Sequence, residues 1–168
     1  MRGTTSSAIL PILSVALLLI GAPAHANDAD TLKGVRSLIV LIEDVAPEAK
    51  DDGLTVEELR SEVESQLRDA GLQIRGDATE SLYININAHR IGTPDGRYMY
   101  NIEVRVSQPV RVLRTNEVAM SPTWSRAIIG TTVLARLPES VRSDLKDLVD
   151  TLLDDHRSVN PRPIPPLR

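Results

Sequence analysis

The sequence lacks cysteine and phenylalanine, and its 168 residues include one tryptophan and three tyrosines. Without cysteine there is no disulfide scaffold, no thiol catalysis, no cysteine-ligated metal and no lipid-modified cysteine. With so few aromatic side chains, the core must be aliphatic. Basic residues do not outnumber acidic ones, and the net charge of −4 argues against nucleic acid or an anionic membrane as the main partner, because both select for basic patches.

The longest apolar run lies near the N-terminus. Its thirteen residues, Ala8–Ile20, follow a start that carries one charge, Arg2, and lead through small residues to an A-x-A site at 24–26. This pattern is typical of a cleavable secretory signal peptide, and the run is shorter than the about 20 apolar residues that span a membrane. We therefore predict a signal peptide at residues 1–26 and a periplasmic or secreted protein with no membrane span after cleavage.

Cleavage would leave 142 residues with a net charge of −5, because the removed segment holds one arginine and no acidic residue. This length suits one domain, which we place at residues 27–159. Residues 160–168 contain four prolines, so we predict a disordered tail there, with a polyproline-II ligand as the alternative.

Two helices are predicted from apolar residues at helical spacing. The first follows Thr55, which forms a capping box with Glu58, and stops at Gly71. Its apolar stripe consists of Val56, Leu59, Val63, Leu67 and Ala70. The second helix is predicted at Pro138–Arg157, with proline in the first turn.

Five strands are predicted, at Val35–Val45, Leu72–Arg75, Ser81–Arg90, Arg97–Arg114 and Thr123–Thr131. The first contains a continuous apolar run, which indicates a strand covered on both faces. The fourth is long, and its proline cannot donate to a ladder, so we expect a bulge or bend at Gln108-Pro109, near a sheet edge. The element order is β-α-β-β-β-β-α. This predicts an α/β (α+β) two-layer sandwich with a mostly antiparallel sheet, an interior first strand and both helices on one face.

Alternation along the strands places a set of polar side chains on one face of the sheet: Tyr83, Asn85, Asn87, His89, Asn101, Glu103 and Arg105. Ile39 and Leu41 of the first strand fall on the same face, although apolar residues are not expected beside water. Either another segment or a partner covers them. We interpret this face as a docking surface for a second copy of the chain or another envelope protein. Trp124 is a core anchor or, alternatively, an interface hot spot of the same surface.

No catalytic, cofactor-binding or metal-binding constellation is evident in the sequence. The mature chain has two histidines, His89 and His156, and it lacks a calcium loop, a phosphate-binding loop and a nucleophile elbow. We therefore predict a non-enzymatic interaction module that needs no cofactor. A small-ligand carrier is the alternative, with Gln108 pointing into a pocket under the second helix. An enzyme would require His89 to approach Glu103 or Arg105.

The first predicted helix also carries a resemblance. The run from Gly53 to Leu59 and the run from Leu67 to Leu72, entered from an apolar strand, resemble the strand–helix–strand opening of small α/β envelope modules. The N-terminal domain of the periplasmic TolB proteins is one such module, and exported bacterial proteins of unknown function are similar. The resemblance implies a binding or assembly module without an active site, and it assigns no role to a single residue. This chain departs from it by having no following β-propeller and no lipid-attachment cysteine.

Overall fold

A computed structural model describes residues 28–92 and 96–161. The predicted signal peptide and most of the proline-rich tail lie outside the described residues. Asn160, which we assigned to the tail, belongs to the folded domain. Its Nδ2 donates to the carbonyl oxygens of Leu32 at 3.0 Å and His156 at 2.9 Å, and its Oδ1 accepts from the N–H of Gly34 at 2.7 Å. The boundary of the domain therefore moves beyond residue 159.

The described chain forms a mixed α+β fold with five strands and three helices. The strands are β1 (Ser37–Ile42), β2 (Gln73–Ile74), β3 (Ser81–Ile91), β4 (Arg97–Arg111) and β5 (Val118–Val133). The helices are α1 (Pro47–Asp51), α2 (Val56–Asp69) and α3 (Leu137–Val159), and 3-10 turns occupy Asp28–Leu32 and Leu134–Arg136. The sequence did not predict α1, because five residues are too few for a helical period to show.

The sheet order is β2-β1-β3-β4-β5. Strand β1 lies between β2 and β3 and runs parallel to both, as its continuous apolar run suggests. Strands β3, β4 and β5 then form an antiparallel meander with long pairings, so most of the sheet is antiparallel, as predicted. The sequence Pro94-Asp95-Gly96 between β3 and β4 is typical of a turn, and its first two residues lie outside the described chain.

One face of the sheet and two helices share a single core cluster. The strands contribute alternate side chains, among them Leu82, Ile84, Tyr98, Ile102 and Val104, all 0 % exposed. Helix α2 buries Leu59, Val63 and Leu67, and α3 buries Val141, Leu145, Leu148, Val149, Leu152 and Leu153. Each such aliphatic side chain contributes about 1.5–3 kcal/mol when fully buried. The core is thus aliphatic, as the composition requires, and Tyr98 and Tyr100 belong to it.

The ends of α2 confirm one prediction and correct another. Gly71 follows the helix with φ of +93°, a conformation that favours glycine, as predicted for the helix stop. The capping box at the other end is absent, since Thr55 makes no side-chain cap and its buried Oγ1 has no hydrogen-bond partner among the described residues. Glu58 instead accepts a hydrogen bond from Arg142 of α3.

The β4–β5 hairpin differs from its predicted limits. Strand β4 ends at Arg111, and β5 begins at Val118 after a turn in which Asn116 has φ of +61°. The irregularity lies between Val106 and Ser107 rather than at Gln108-Pro109, because β5 inserts an extra residue opposite that step. Pairing with β3 also stops at Ser107, so Pro109 lies where only β5 flanks the strand.

Candidate functional site

The sheet face opposite the helices holds the predicted surface residues. Side chains alternate between the two faces of a strand, and the register aligns Leu41 with Tyr83, Tyr83 with Arg105 and Asn87 with Asn101. We call this the open face, formed by the odd-numbered side chains of β1, β3, β4 and the 125–133 part of β5. It brings together all the predicted residues except Trp124: Ile39, Leu41, Tyr83, Asn85, Asn87, His89, Asn101, Glu103 and Arg105.

A carboxylate at the end of β1 organises the polar part of the open face. Glu43 follows β1, and its backbone N–H donates to the carbonyl of Ile84 at 3.0 Å. Its carboxylate accepts hydrogen bonds from the hydroxyl of Tyr83 and the amide of Asn85, and Asn87 donates in turn to Asn85. The hydrogen bond to Glu43, together with burial, raises the pKa of Tyr83. These polar groups are therefore already oriented by each other.

Arg105 adds a positive charge to the same region. Its guanidinium lies 4.7 Å from the centre of the Tyr83 ring, the residue directly opposite on β3. Its Nε lies 3.3 Å from Oε1 of Glu103, two residues earlier on β4. A cation over an aromatic face contributes about 0.5–1 kcal/mol at an exposed site. The pair of carboxylates and the guanidinium thus give this part of the face charges of both signs.

Apolar side chains lie on the open face at both sides of this polar region, Leu41 on β1 and Met99 and Ile129 on β4 and β5. Leu41 is 47 % exposed, Met99 49 % and Ile129 72 %. Met99 and Ile129 help to line a shallow depression of about 140 Å³, together with Asn87, His89, Tyr100 and Asn101. Sequence reasoning did not select Met99 or Ile129. Counting in steps of two from Asn101 and from the residue after Trp124 would have placed both on this face.

Trp124 is a correction to the predicted surface. It is 1 % exposed and lies on the helix side of the sheet. Its indole N–H donates to Oδ2 of Asp155 at 2.8 Å, and the guanidinium of Arg126 lies 4.9 Å from the centre of its ring. Trp124 is therefore the core anchor of the two alternatives, because its polar atom finds an internal partner.

The geometry does not bring His89 close to Glu103 or Arg105. His89 pairs with Met99, whereas Glu103 pairs with Asn85, four residues away on β3. That separation corresponds to about 13 Å along the strand. Within residues 28–92 and 96–161, no three side chains of the metal-ligating types lie close enough to hold an ion.

The polar group predicted for a ligand pocket is also engaged internally. The side-chain amide of Gln108 donates to the carbonyl of Thr31 at 2.9 Å and to Oγ1 of Thr123 at 2.6 Å. Gln108 therefore connects β4 to β5 and to the first 3-10 turn.

An open groove of about 430 Å³ lies elsewhere, between α2 and α3, and Val63, Gln66, Arg142 and Leu145 are among its lining residues.

Polar contacts on the helix side connect the sheet to the helices. The Tyr98 hydroxyl donates to Oδ2 of Asp52 at 2.5 Å, and Arg90 contacts the same oxygen at 2.6 Å. The hydrogen bond from Tyr98, followed by that from Arg90, lowers the pKa of Asp52. The Tyr100 hydroxyl donates to Oδ2 of Asp144 at 2.6 Å, and burial, followed by this bond, raises the pKa of Tyr100 to about 12.

No protein-family model and no curated protein matches the chain. Among solved structures, it is similar to a dodecameric PelC variant from Paraburkholderia phytofirmans, with 15 % identity, a TM-score of 0.39 and coverage of 73 % of this chain and 86 % of that one. A minor lipoprotein from Acinetobacter baumannii shows 11 % identity, a TM-score of 0.41 and coverages of 79 % and 99 %. A hypothetical protein from Chlamydia trachomatis shows 11 % identity and a TM-score of 0.40, and the match covers 71 % of this chain and 96 % of that one. These similarities do not show the expected resemblance to TolB, and at this level none assigns a function.

No described helix is long and apolar enough to cross a membrane.

Proposed function

We propose that this chain is an exported, non-enzymatic protein-interaction module of the bacterial cell envelope, and that it binds another envelope protein or a second copy of itself through the open face. Export is supported by the signal-peptide pattern of residues 1–26. In this proposal, the sheet with its helices on one face forms a two-layer sandwich whose second face remains available to a partner.

The observation that carries the proposal is the mixture of exposed apolar and pre-bonded polar groups on one face. Leu41, Met99 and Ile129 are 47 %, 49 % and 72 % exposed. Tyr83, which pairs with Leu41, and Asn85 are held by Glu43. Met99 and Ile129 lie beside Asn101, which is their neighbour on β4 and across the β4–β5 pair. Groups that are already oriented lose little conformational freedom on binding. Exposed apolar residues next to fixed polar ones are typical of protein-binding surfaces.

Site-specific photocrosslinking in the native envelope tests this function. A photoreactive amino acid is placed at Leu41 or Met99 on the open face, and at Lys146, an exposed position of α3, as the control. The protein is expressed from its full coding sequence so that the cell exports it. We expect the two open-face positions to yield one defined crosslinked species that the α3 position does not yield. Equal products from all three positions, or no product from the open face, would contradict the proposal.

A pair of threonine variants separates binding from folding. Leu41→Thr removes an exposed apolar side chain from the open face, whereas Val40→Thr alters the adjacent residue, which is 4 % exposed in the core. We expect Leu41→Thr to reduce crosslinking at Met99 and to leave the unfolding midpoint nearly unchanged. Val40→Thr should lower that midpoint, because it buries an extra hydroxyl. If Leu41→Thr unfolds the protein, Leu41 is a core residue and the open face is not a binding surface.

A further inference from the structure

Strand β5 forms one edge of the sheet, and the backbone N–H and C=O groups of successive residues point alternately toward β4 and away from the sheet. The N–H of Leu134 donates to the carbonyl of Gly96 at 2.8 Å, in line with the β4–β5 register that pairs Tyr98 with Thr132. In an antiparallel pair, every second residue directs both backbone groups at its partner strand. Even-numbered residues of this part of β5 therefore bond to β4. Ala127, Ile129, Thr131 and Val133 direct their N–H and C=O groups away from the sheet.

The first part of the same edge is protected. Pro122 has no N–H to offer, and the carbonyl of Thr123 accepts a hydrogen bond from Oγ1 of Thr31 at 3.2 Å. The carbonyl of Ser125 accepts one from Nη1 of Arg126 at 2.7 Å. Natural proteins use prolines, charges and covering segments in this way to stop strands from pairing at an edge.

The segment Ala127–Val133 has none of these protections among the described residues. It contains no charge and no proline, and its side chains are alanine, isoleucine, threonine and valine apart from Gly130. Ile129, near its centre, is 72 % exposed. A long, uncharged, β-branched edge is the kind of strand that adds a further strand.

We propose that a second copy of this chain pairs with β5 along Ala127–Val133, in antiparallel orientation about a two-fold axis near Gly130. The proposal goes beyond the interaction module above, because it uses the strand edge rather than the open face. Around this axis Ile129 lies opposite Thr131 of the second copy, and Ala127 lies opposite Val133.

The segment Ala127–Val133 is suited to pairing with its own copy. A two-fold interface uses the same patch on both copies, and no charged residue of this segment meets its equivalent, because the segment has none. Gly130 falls at the axis, where directly opposed residues of a non-hydrogen-bonded pair approach most closely. Pairs between β-branched side chains are favourable across antiparallel strands.

Amide hydrogen exchange tests the pairing residue by residue. The protein is expressed from its full coding sequence, purified as the cell processes it, and measured at a concentration where sedimentation shows the larger species and after dilution. We expect the amides of Ala127, Ile129, Thr131 and Val133 to exchange slowly when concentrated and at least about tenfold faster after dilution. The even-numbered amides of the segment should stay protected in both samples because they bond to β4. Fast exchange of the odd-numbered amides at every concentration would overturn the proposal.

Two variants separate the edge from the open face. Ile129→Pro removes an outward N–H without touching the bonds to β4, and we expect it to abolish the larger species. Leu41→Thr alters the open face and should leave that species intact. If Leu41→Thr dissociates it and Ile129→Pro does not, the copies meet through the open face and the edge proposal is wrong. If no larger species forms but Leu41 still crosslinks to another protein, the edge proposal fails while the interaction module stands.

Cysteine scanning gives a readout that does not depend on the proline variant folding. The chain has no cysteine, so single substitutions are unambiguous. Oxidation of a mixture of Ile129→Cys and Thr131→Cys chains should give the mixed disulfide dimer, since opposed residues in such a pair lie about 5.5 Å apart. Lys146→Cys, an exposed position of α3 on the other side of the sheet, is the control. Equal yields of disulfide dimer from the control and the mixture would refute the pairing.

Discussion

Replacing Gly130 by alanine is expected to destabilise the fold through a collision with Tyr100. An ideal Cβ at this position would lie 2.3 Å from Cζ, 2.4 Å from Oη and 2.7 Å from Cε2 of the tyrosine. Tyr100 is the β4 residue paired with Gly130, and its ring crosses the glycine so that its hydroxyl can reach Asp144 on α3. A methyl group and the ring therefore cannot occupy their positions together.

The magnitude combines two costs and one gain. Forcing an extra methyl group into a packed site costs about 1–3 kcal/mol. If the ring moves away to make room, the bond from Tyr100 to the Asp144 carboxylate is lost, which costs about 1.5–3 kcal/mol for a charged acceptor. Alanine returns about 0.5–1 kcal/mol by restricting the unfolded chain more than glycine does. We expect a net loss of about 2–4 kcal/mol in the free energy of unfolding.

Urea unfolding followed by the fluorescence of the single tryptophan measures this loss, because Trp124 is buried in the folded protein. Gly76→Ala is the matched control, since a Cβ at Gly76 would meet nothing within 4 Å, and it should change the free energy by less than about 0.5 kcal/mol. The double variant Gly130→Ala, Tyr100→Leu should lose less stability than the sum of the losses of the two single variants, because the two residues are in contact. Equal stabilities for the two alanine variants, or fully additive losses, would refute the collision.

Two further predictions concern contacts between the sheet and α3. Asp155→Ala should lower the free energy of unfolding by about 1–3 kcal/mol, because its carboxylate accepts from Trp124 at 2.8 Å and from Arg126 at 3.0 Å; Asp154→Ala, at an exposed position, is the control for urea unfolding. The pKa of Tyr100 is raised to about 12 in the folded protein, whereas it is about 10 in the unfolded chain. The protonated phenol therefore contributes its full stabilisation below about pH 10, and this contribution is lost as the pH rises through about 12. Native protein should therefore lose more stability than Tyr100→Phe between about pH 9 and 12.

Each of these predictions has an outcome that contradicts it. Equal losses from Asp155→Ala and Asp154→Ala would mean that the indole hydrogen bond contributes no more than a surface charge does. Parallel stability curves for native protein and Tyr100→Phe across the alkaline range would mean that ionisation of this phenol is not coupled to folding.

Local periodicity was sufficient to predict the parts of the fold that depend on neighbouring residues. The apolar run of β1 indicated an interior strand, and alternation in β3 and β4 separated the core face from the open face. The helical stripe ending at Gly71 located α2. Each of these signals repeats within a few residues, so a single sequence contains all of it.

Contacts between distant residues could not be predicted in the same way. A carboxylate near the C-terminal end of a helix is unfavourable toward the helix dipole, and nothing in the sequence around Asp155 indicates its partners. The structure places it against Trp124 and Arg126, which lie 31 and 29 residues earlier. Glu43 likewise acquires its role on the open face only because β1 pairs with β3. Thr55 and Glu58 show the converse. Their spacing matches a capping box, but the carboxylate of Glu58 accepts a hydrogen bond from Arg142 of α3 and the box does not form.

Strand β5 shows how strand order decides which strand is left at the edge of the sheet. Along Ala127–Val133 both faces carry apolar or threonine side chains, a pattern expected for a strand inside a sheet. The order β2-β1-β3-β4-β5 places it at the edge instead, and Ile128 and Ile129 remain 36 % and 72 % exposed. The opposite edge consists of the two residues of β2, which offer little backbone to pair with. The composition of β5 fits an interior position, and pairing with the same strand of a second copy would give it one.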